Sequence, residues 1–198
     1  MSVFKIYKKI MYVCMCLFIF TQNTQARDEF EKLGDILTLA PFGVLIVSLG
    51  MRDYEGAAQL TAGSLATQGT IELIKRGFEY AHLNGTSIDF AKRPCCDDYK
   101  GMPSGHAGGA FSAAGFVYYR YGWKPALPLI GLGIVTAASR VYAQKHTIWQ
   151  VAVGSAIAWG WAYVFTTRYK PQTRFIVTPE ISADSLGSFY GVNMHYRW

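Results

Sequence analysis

The feature that most restricts what this chain can fold into is a pair of apolar runs in its second half. "ALPLIGLGIVTAASRVYA" fills residues 126–143 and "TIWQVAVGSAIAWGWAYVF" residues 147–165, the second without a charged side chain. Each comes close to the roughly 20 residues that a helix needs to cross a bilayer. Three further segments have helical character. Residues 36–51 are uncharged but short, with Pro41 inside the run. Residues 56–75 have helical composition yet are polar, which places them inside a bundle and away from lipid. Residues 103–119 open with Pro103 and Ser104, good chemistry for a helix start. Only 16% of the chain is charged, against about 25% in ordinary soluble domains, and its 20 glycines suit close helix contacts within a membrane.

Both ends differ from this body. Lys5, Lys8 and Lys9 precede an apolar stretch at residues 10–20, and "TQA" at residues 24–26 resembles a cleavage site. That order is a signal segment, either cleaved or kept as an anchor. In both cases the basic end stays in the cytoplasm and residue 27 emerges outside. After Pro171, "RFIVTPEI" and "SFYGVNMHYRW" alternate as strands do, with "ADSLGS" as the turn between them. Two strands cannot make a membrane barrel. The sequence therefore predicts an all-α membrane helical bundle of about five spans, after an N-terminal signal segment and before a short C-terminal β-hairpin. The expected divisions are 1–26 for the signal segment, 27–170 for the helical domain and 171–198 for the hairpin tail.

Alternating the spans from outside at Arg27 puts Arg52, Arg120, Lys124, Arg168 and Lys170 in the cytoplasm, as the positive-inside tendency asks. The outer face then collects Lys75, Arg76, Arg93, His106, Arg140 and His146. That second cluster opposes the usual bias and points to an anionic ligand. Nucleic acid is a poor fit to the net charge of +6, because no basic stretch is interleaved with aromatics and no binding module is present. Cys14 and Cys16 lie in the signal segment, and Cys95 and Cys96 are adjacent. This spacing gives no zinc site and no disulfide framework. A bridge between neighbours is strained, so two loop thiols are the alternative to a disulfide that an oxidising compartment permits.

Taken singly, the polar motifs on the outer face have ordinary explanations: "PSGH" (103–106) is a turn that opens a helix, and Arg140 is an interfacial arginine. Together they are what phosphoryl transfer needs. Fixed cations surround the equatorial oxygens, helix N-terminal N–H groups face the anion, and two histidines supply a nucleophile and an acid. His146 and Gln150, four residues apart, share one helical face.

These residues resemble the three-part signature of the type-2 phosphatidic acid phosphatase family. Pro103 to His106 matches the second part in full, and Ser139, Arg140 and His146 match the third with its five-residue gap. Arg93-Pro94 matches the end of the first part, and the resemblance covers about residues 72 to 155. Two positions depart from the pattern. Thr86 stands where the family has its lysine, leaving Lys75, Arg76 or Lys92 to fill that role across a longer loop. Gln150 stands where the family has an aspartate that holds the nucleophilic histidine.

The resemblance implies metal-free chemistry without a cofactor. His146 attacks phosphorus to form a phosphohistidine, and His106 protonates the leaving oxygen. Lys75, Arg93, Ser104, Gly105 and Arg140 bind the phosphate, while Gln150 orients His146 through its amide oxygen. On this reading an aspartate at position 150 retains or raises activity. The implied substrate is a membrane lipid phosphate at the periplasmic face of a bacterial inner membrane, with lipid A the first choice. Undecaprenyl pyrophosphate and phosphatidylglycerophosphate are the alternatives. A soluble acid phosphatase, a vanadate-binding haloperoxidase and a non-catalytic membrane paralogue are the competing classes.

Overall fold

The computed structural model describes residues 24–170, 175–184 and 187–196. The expected signal segment, with Cys14 and Cys16, lies outside the described residues up to residue 23. Six α-helices follow: α1 Thr24–Leu37, α2 Ala40–Gly50, α3 Tyr54–Leu83, α4 Gly105–Tyr121, α5 Trp123–Tyr142 and α6 Ile148–Phe165. The helical unit ends at Arg168, and a second compact unit begins at Tyr169.

Among the described residues, three stretches are long and apolar enough to cross a membrane: Asp28–Gly50, Trp123–Tyr142 and Ile148–Phe165. The first joins α1 and α2 across a break at Thr38 and Leu39. Pro41 sits in the opening turn of α2, where its missing N–H costs no helical bond. The helix therefore starts earlier than the uncharged run at residue 36, and Glu31 and Asp35 ride on α1. The other two helices of the five expected spans are not among these three stretches and have another character. α3 runs for 30 residues through Gln, Thr and Glu positions, and the 17-residue α4 is buried throughout residues 107–117. Around α4 pack α2, α3, α5 and α6, so its glycines and alanines meet helices rather than lipid.

α3 outlasts the polar boundary expected at Arg76, because Arg76 and Glu72 pair at 2.8 Å one helical turn apart. Its other end is built around Asp53, which caps α3 by accepting from the Gly56 N–H at 3.0 Å. The same carboxylate takes a 2.8 Å bond from Arg120 Nε and a 2.6 Å bond from the Tyr121 hydroxyl. Burial alone would raise the Asp53 carboxyl, but the bonds from Arg120, Tyr121 and Gly56 overcome it and hold it at about 2. This network closes the bundle end opposite Arg93, His106, Arg140 and His146.

In the second unit, β1 Phe175–Asp184 and β2 Gly187–Tyr196 pair antiparallel, from Phe175↔Tyr196 to Asp184↔Gly187. Ala183 and Asp184, expected in the turn, belong to β1. The pair Pro179↔Val192 lies between the pairs Thr178↔Asn193 and Glu180↔Gly191, so apolar and polar pairs alternate across the ladder.

Candidate active site

Ser104, fully buried, is the N-cap of α4 and accepts from the Ala107 N–H at 3.5 Å. Its own N–H donates to the Gln150 carbonyl at 2.9 Å, which ties the start of α4 to the start of α6. That approach needs glycine at position 154, where a Cβ would lie 2.3 Å from the Ser104 carbonyl oxygen. Gly105 opens the helix, so the first-turn N–H groups of α4 form an anion-binding end. A Cβ at Gly105 would stand 3.6 Å from Lys75 Nζ, which places the lysine ammonium beside this turn.

Arg93 lies in the loop between α3 and α4, after a short 3-10 turn at Asp89–Ala91. Asp98 holds it twice: the Arg93 N–H donates to the Asp98 carbonyl at 2.8 Å, and Arg93 Nε stands 3.3 Å from Asp98 Oδ2. The same loop contains Cys95 and Cys96, joined as a disulfide between neighbours, so the two-thiol alternative does not describe this structure.

His146 occupies the short connection between α5 and α6 and is 4% exposed. Its Nδ1 stands 2.7 Å from the Gly101 carbonyl oxygen and 3.3 Å from Gln150 Oε1. A carbonyl only accepts, so Nδ1 carries the hydrogen and Nε2 keeps its lone pair. Burial lowers the His146 pKa most; the bonds to Gly101 and Gln150 oppose it, and the charges of Lys75 and Arg93 add to it. The ring settles at about 4 and is neutral near pH 7.

Gln150 does more than face His146. Its Oε1 accepts from the Thr147 N–H at 3.1 Å while Thr147 Oγ1 accepts from the Gln150 N–H at 3.3 Å, a reciprocal cap on α6. Its Nε2 donates to the Phe90 carbonyl at 3.0 Å and the Lys92 carbonyl at 2.9 Å. Both carbonyls belong to the loop that carries Arg93. The stronger partner of His146 is therefore the Gly101 backbone, and Gln150 fastens the Arg93 loop to α6.

Arg140 is 2% exposed and held by α1. Its Nε donates to Ser139 Oγ at 3.3 Å, its Nη2 donates to the Glu31 carbonyl, and its Nη1 lies 2.8 Å from Asp35 Oδ1. The same Asp35 oxygen stands 2.9 Å from His106 Nε2. Lys75 lies within electrostatic reach of both His106 and His146, so the two halves share one cation. Of the three lysine substitutes, Arg76 is exposed and paired with Glu72, and Lys92 pairs with Asp97 at 2.7 Å. Lys75 is the one turned toward the histidines.

Sequence reasoning missed Asp35, Glu31 and the Gly101 carbonyl. A usable signal existed for Asp35: topology placed it on the outer face, one residue before an apolar run. Thr147-x-x-Gln150 is likewise a legible capping box. The backbone role of Gly101 left no trace in side-chain chemistry. As assembled, the site offers a neutral histidine lone pair, a second histidine held by a carboxylate, and cations around a helix N-terminus. That set fits attack on a phosphoryl group.

The comparisons with known proteins agree with this chemistry. The PAP2 superfamily profile matches residues 59–174. The chain is 53% identical over 195 residues to the lipid A 4′-phosphatase of Helicobacter pylori strain J99, covering 96% of this chain and 98% of that protein. It is also 30% identical over 125 residues to the lipid A 1-phosphatase of Helicobacter pylori strain 26695, covering 63% and 64% of the two chains. No solved structure matches it. With the signature residues gathered at one end of the bundle and a family match across more than half its length, the chain belongs to the PAP2 superfamily.

Proposed function

We propose that the protein is a metal-independent lipid A phosphatase that removes the 4′-phosphate through a phosphohistidine on His146, with its site at the periplasmic face of the inner membrane. The observation that carries this reading is the tautomer of His146. Its Nδ1–H is committed to Gly101 at 2.7 Å, which leaves Nε2 as a neutral nucleophile in the field of Lys75 and Arg93. The identity to a lipid A 4′-phosphatase along nearly the whole chain supports the substrate and the position. The basic residues of the opposite end of the bundle, Arg52, Lys124 and Arg168, support a periplasmic orientation.

In the first step the Nε2 lone pair of His146 forms a bond to phosphorus as the bond to the sugar oxygen breaks. His106 gives its proton to that oxygen. Lys75, Arg93, Arg140 and the N–H groups at the start of α4 carry the charge of the transferred phosphoryl group, with Ser104 shaping that turn. Water then attacks phosphorus, His106 takes its proton, and His146 and inorganic phosphate are released.

The test is phosphate release by purified protein in detergent micelles with chelator, from lipid A, undecaprenyl pyrophosphate and phosphatidylglycerophosphate, with mass analysis of the products. The expected result is a lipid A product lacking only its 4′-phosphate. Preferred release from either other lipid, or loss of the 1-phosphate, would replace this assignment. No release from any of the three would favour the non-catalytic paralogue.

A further inference from the structure

We propose that Asp35 is a positioning residue for the acid of this reaction. It holds His106 and Arg140 in one unit and supplies the negative charge that the family pattern places beside the nucleophile. The inference rests on the reading of His106 as the acid given above.

Asp35 Oδ1 is shared. It stands 2.9 Å from His106 Nε2 and 2.8 Å from Arg140 Nη1, so one carboxylate oxygen sets the spacing of two groups carried on α4 and α5. The carboxylate accepts only, so His106 Nε2 is a donor and Nδ1 is the nitrogen left to face the substrate. Glu31, one turn earlier on α1, continues the clamp. Its carbonyl accepts from Arg140 Nη2, and its carboxylate lies 3.8 Å from Arg140 Nη1 and 3.7 Å from Lys145 Nζ.

The placement is built into the packing of α1. A Cβ at Gly34 would fall 1.9 Å from Ser139 Oγ and 3.0 Å from Arg140 Nη2. Only glycine allows α1 to lie this close to α5, and the close approach is what delivers Asp35. Thr38, at the end of the same segment, donates to the Gly34 carbonyl at 3.0 Å.

The charges that face His106 are Lys75 from α3, Arg140 from α5 and Asp35 from α1. Two of the three are cations, which oppose an imidazolium. Asp35 is the anion among them, and through its 2.9 Å contact it fixes Nε2 as a donor and leaves Nδ1 to face the leaving oxygen. On the other side of the pocket, Gln150 brings no charge to His146. The division is chemically coherent: a neutral ring for the nucleophile and a carboxylate-backed ring for the acid.

The test is the pH profile of kcat/KM on lipid A for wild type, Asp35→Asn and Asp35→Glu, with melting temperatures of all three. His106 and Asp35 are about half-exposed, so the removed charge acts through partial screening, and Asp35→Asn moves the alkaline limb down by about one pH unit. At pH 8 this is about a tenfold loss of rate beyond any loss at the optimum. The acid limb, set by His146, stays in place. Asp35→Glu keeps the charge on a longer arm, so its alkaline limb stays at the wild-type pH while kcat falls. Should Asp35→Asn melt too low to assay, Asp35→Glu carries the test, and a downward move of its alkaline limb overturns the proposal. An Asp35→Asn enzyme with an unmoved limb overturns it as well. So does one with raised kcat/KM, which would mark Asp35 as a competitor of the phosphate for Arg140. A wild-type protein inactive on lipid A overturns the proposed function and this inference with it. An active wild type with an unmoved limb in Asp35→Asn overturns this inference alone.

Discussion

Replacing Gln150 by aspartate restores the residue type of the family pattern, and the structure expects it to damage the protein. The Gln150 amide nitrogen donates to the Phe90 and Lys92 carbonyls at 3.0 and 2.9 Å, and the side chain is fully buried. An aspartate has no donor at neutral pH and is one carbon shorter. Each carbonyl stripped of its partner costs about 1–3 kcal/mol, so the pair comes to about 4 kcal/mol. A carboxylate pointed at two carbonyl oxygens adds repulsion. At about 2–4 °C per kcal/mol for a chain of this size, melting falls by roughly 10 °C. The loop that loses its anchor carries Arg93, so KM rises along with the loss of stability. Scanning fluorimetry in detergent and lipid A phosphate release give the two readouts. Gln150→Glu is the control, since it keeps the arm length and the oxygen that faces His146 but not the donors, and it fails in the same way. A Gln150→Asp protein that melts with wild type and turns over as fast or faster would refute this reasoning. It would also reinstate the simpler expectation from the family pattern.

Three further outcomes follow from other parts of the molecule. Gly154→Ala puts a methyl group 2.3 Å from the Ser104 carbonyl, so it pushes the PSGH turn away from α6, and a phosphate-release assay reads at least a tenfold drop in kcat/KM. Asp53→Ala removes the two bonds that Asp53 makes to Arg120, which keeps Glu55 at 3.7 Å and the Thr167 carbonyl at 3.0 Å; thermal melts report a loss of about 1–3 kcal/mol, with kcat per folded molecule unchanged because the site is at the other end. The depressed pKa of His146 sets both activity and stability in acid. The native ring binds its proton only near pH 4 and the unfolded ring near 6.5. Stability is therefore complete above 6.5 and is lost as pH falls through that window, by about 3 kcal/mol at most. The acid limb of kcat/KM lies near 4, and a limb near 6.5 would contradict the burial of His146.

The helical body was legible because its signals are local. The apolar runs at 126–143 and 147–165 became α5 and α6 within a few residues, since length, lack of charge and the Thr147 cap all act within the segment. Less legible was the reach of α3 to Leu83, where the polarity of residues 76–83 reads as loop until Arg76 and Glu72 are placed one turn apart. PSGH, Arg140 and His146 could be found by spacing. Asp35 could not be given a role that way, because its contacts with His106 and Arg140 span 71 and 105 residues and depend on how closely Gly34 lets α1 approach. Gln150 shows the limit most clearly. Its position suggested a weakened aspartate, whereas its two donors serve carbonyls 58 and 60 residues away, and backbone carbonyls carry no sequence signature.

Covalent chemistry at His146 is the centre of the mechanism, and a rapid-quench experiment with lipid A labelled at the 4′-phosphate tests it directly. The prediction is protein-bound label that forms within one turnover, survives alkali, is released by acid and maps to His146, with none in His146→Ala. Turnover without any protein-bound phosphate, or label that persists in His146→Ala, would contradict it.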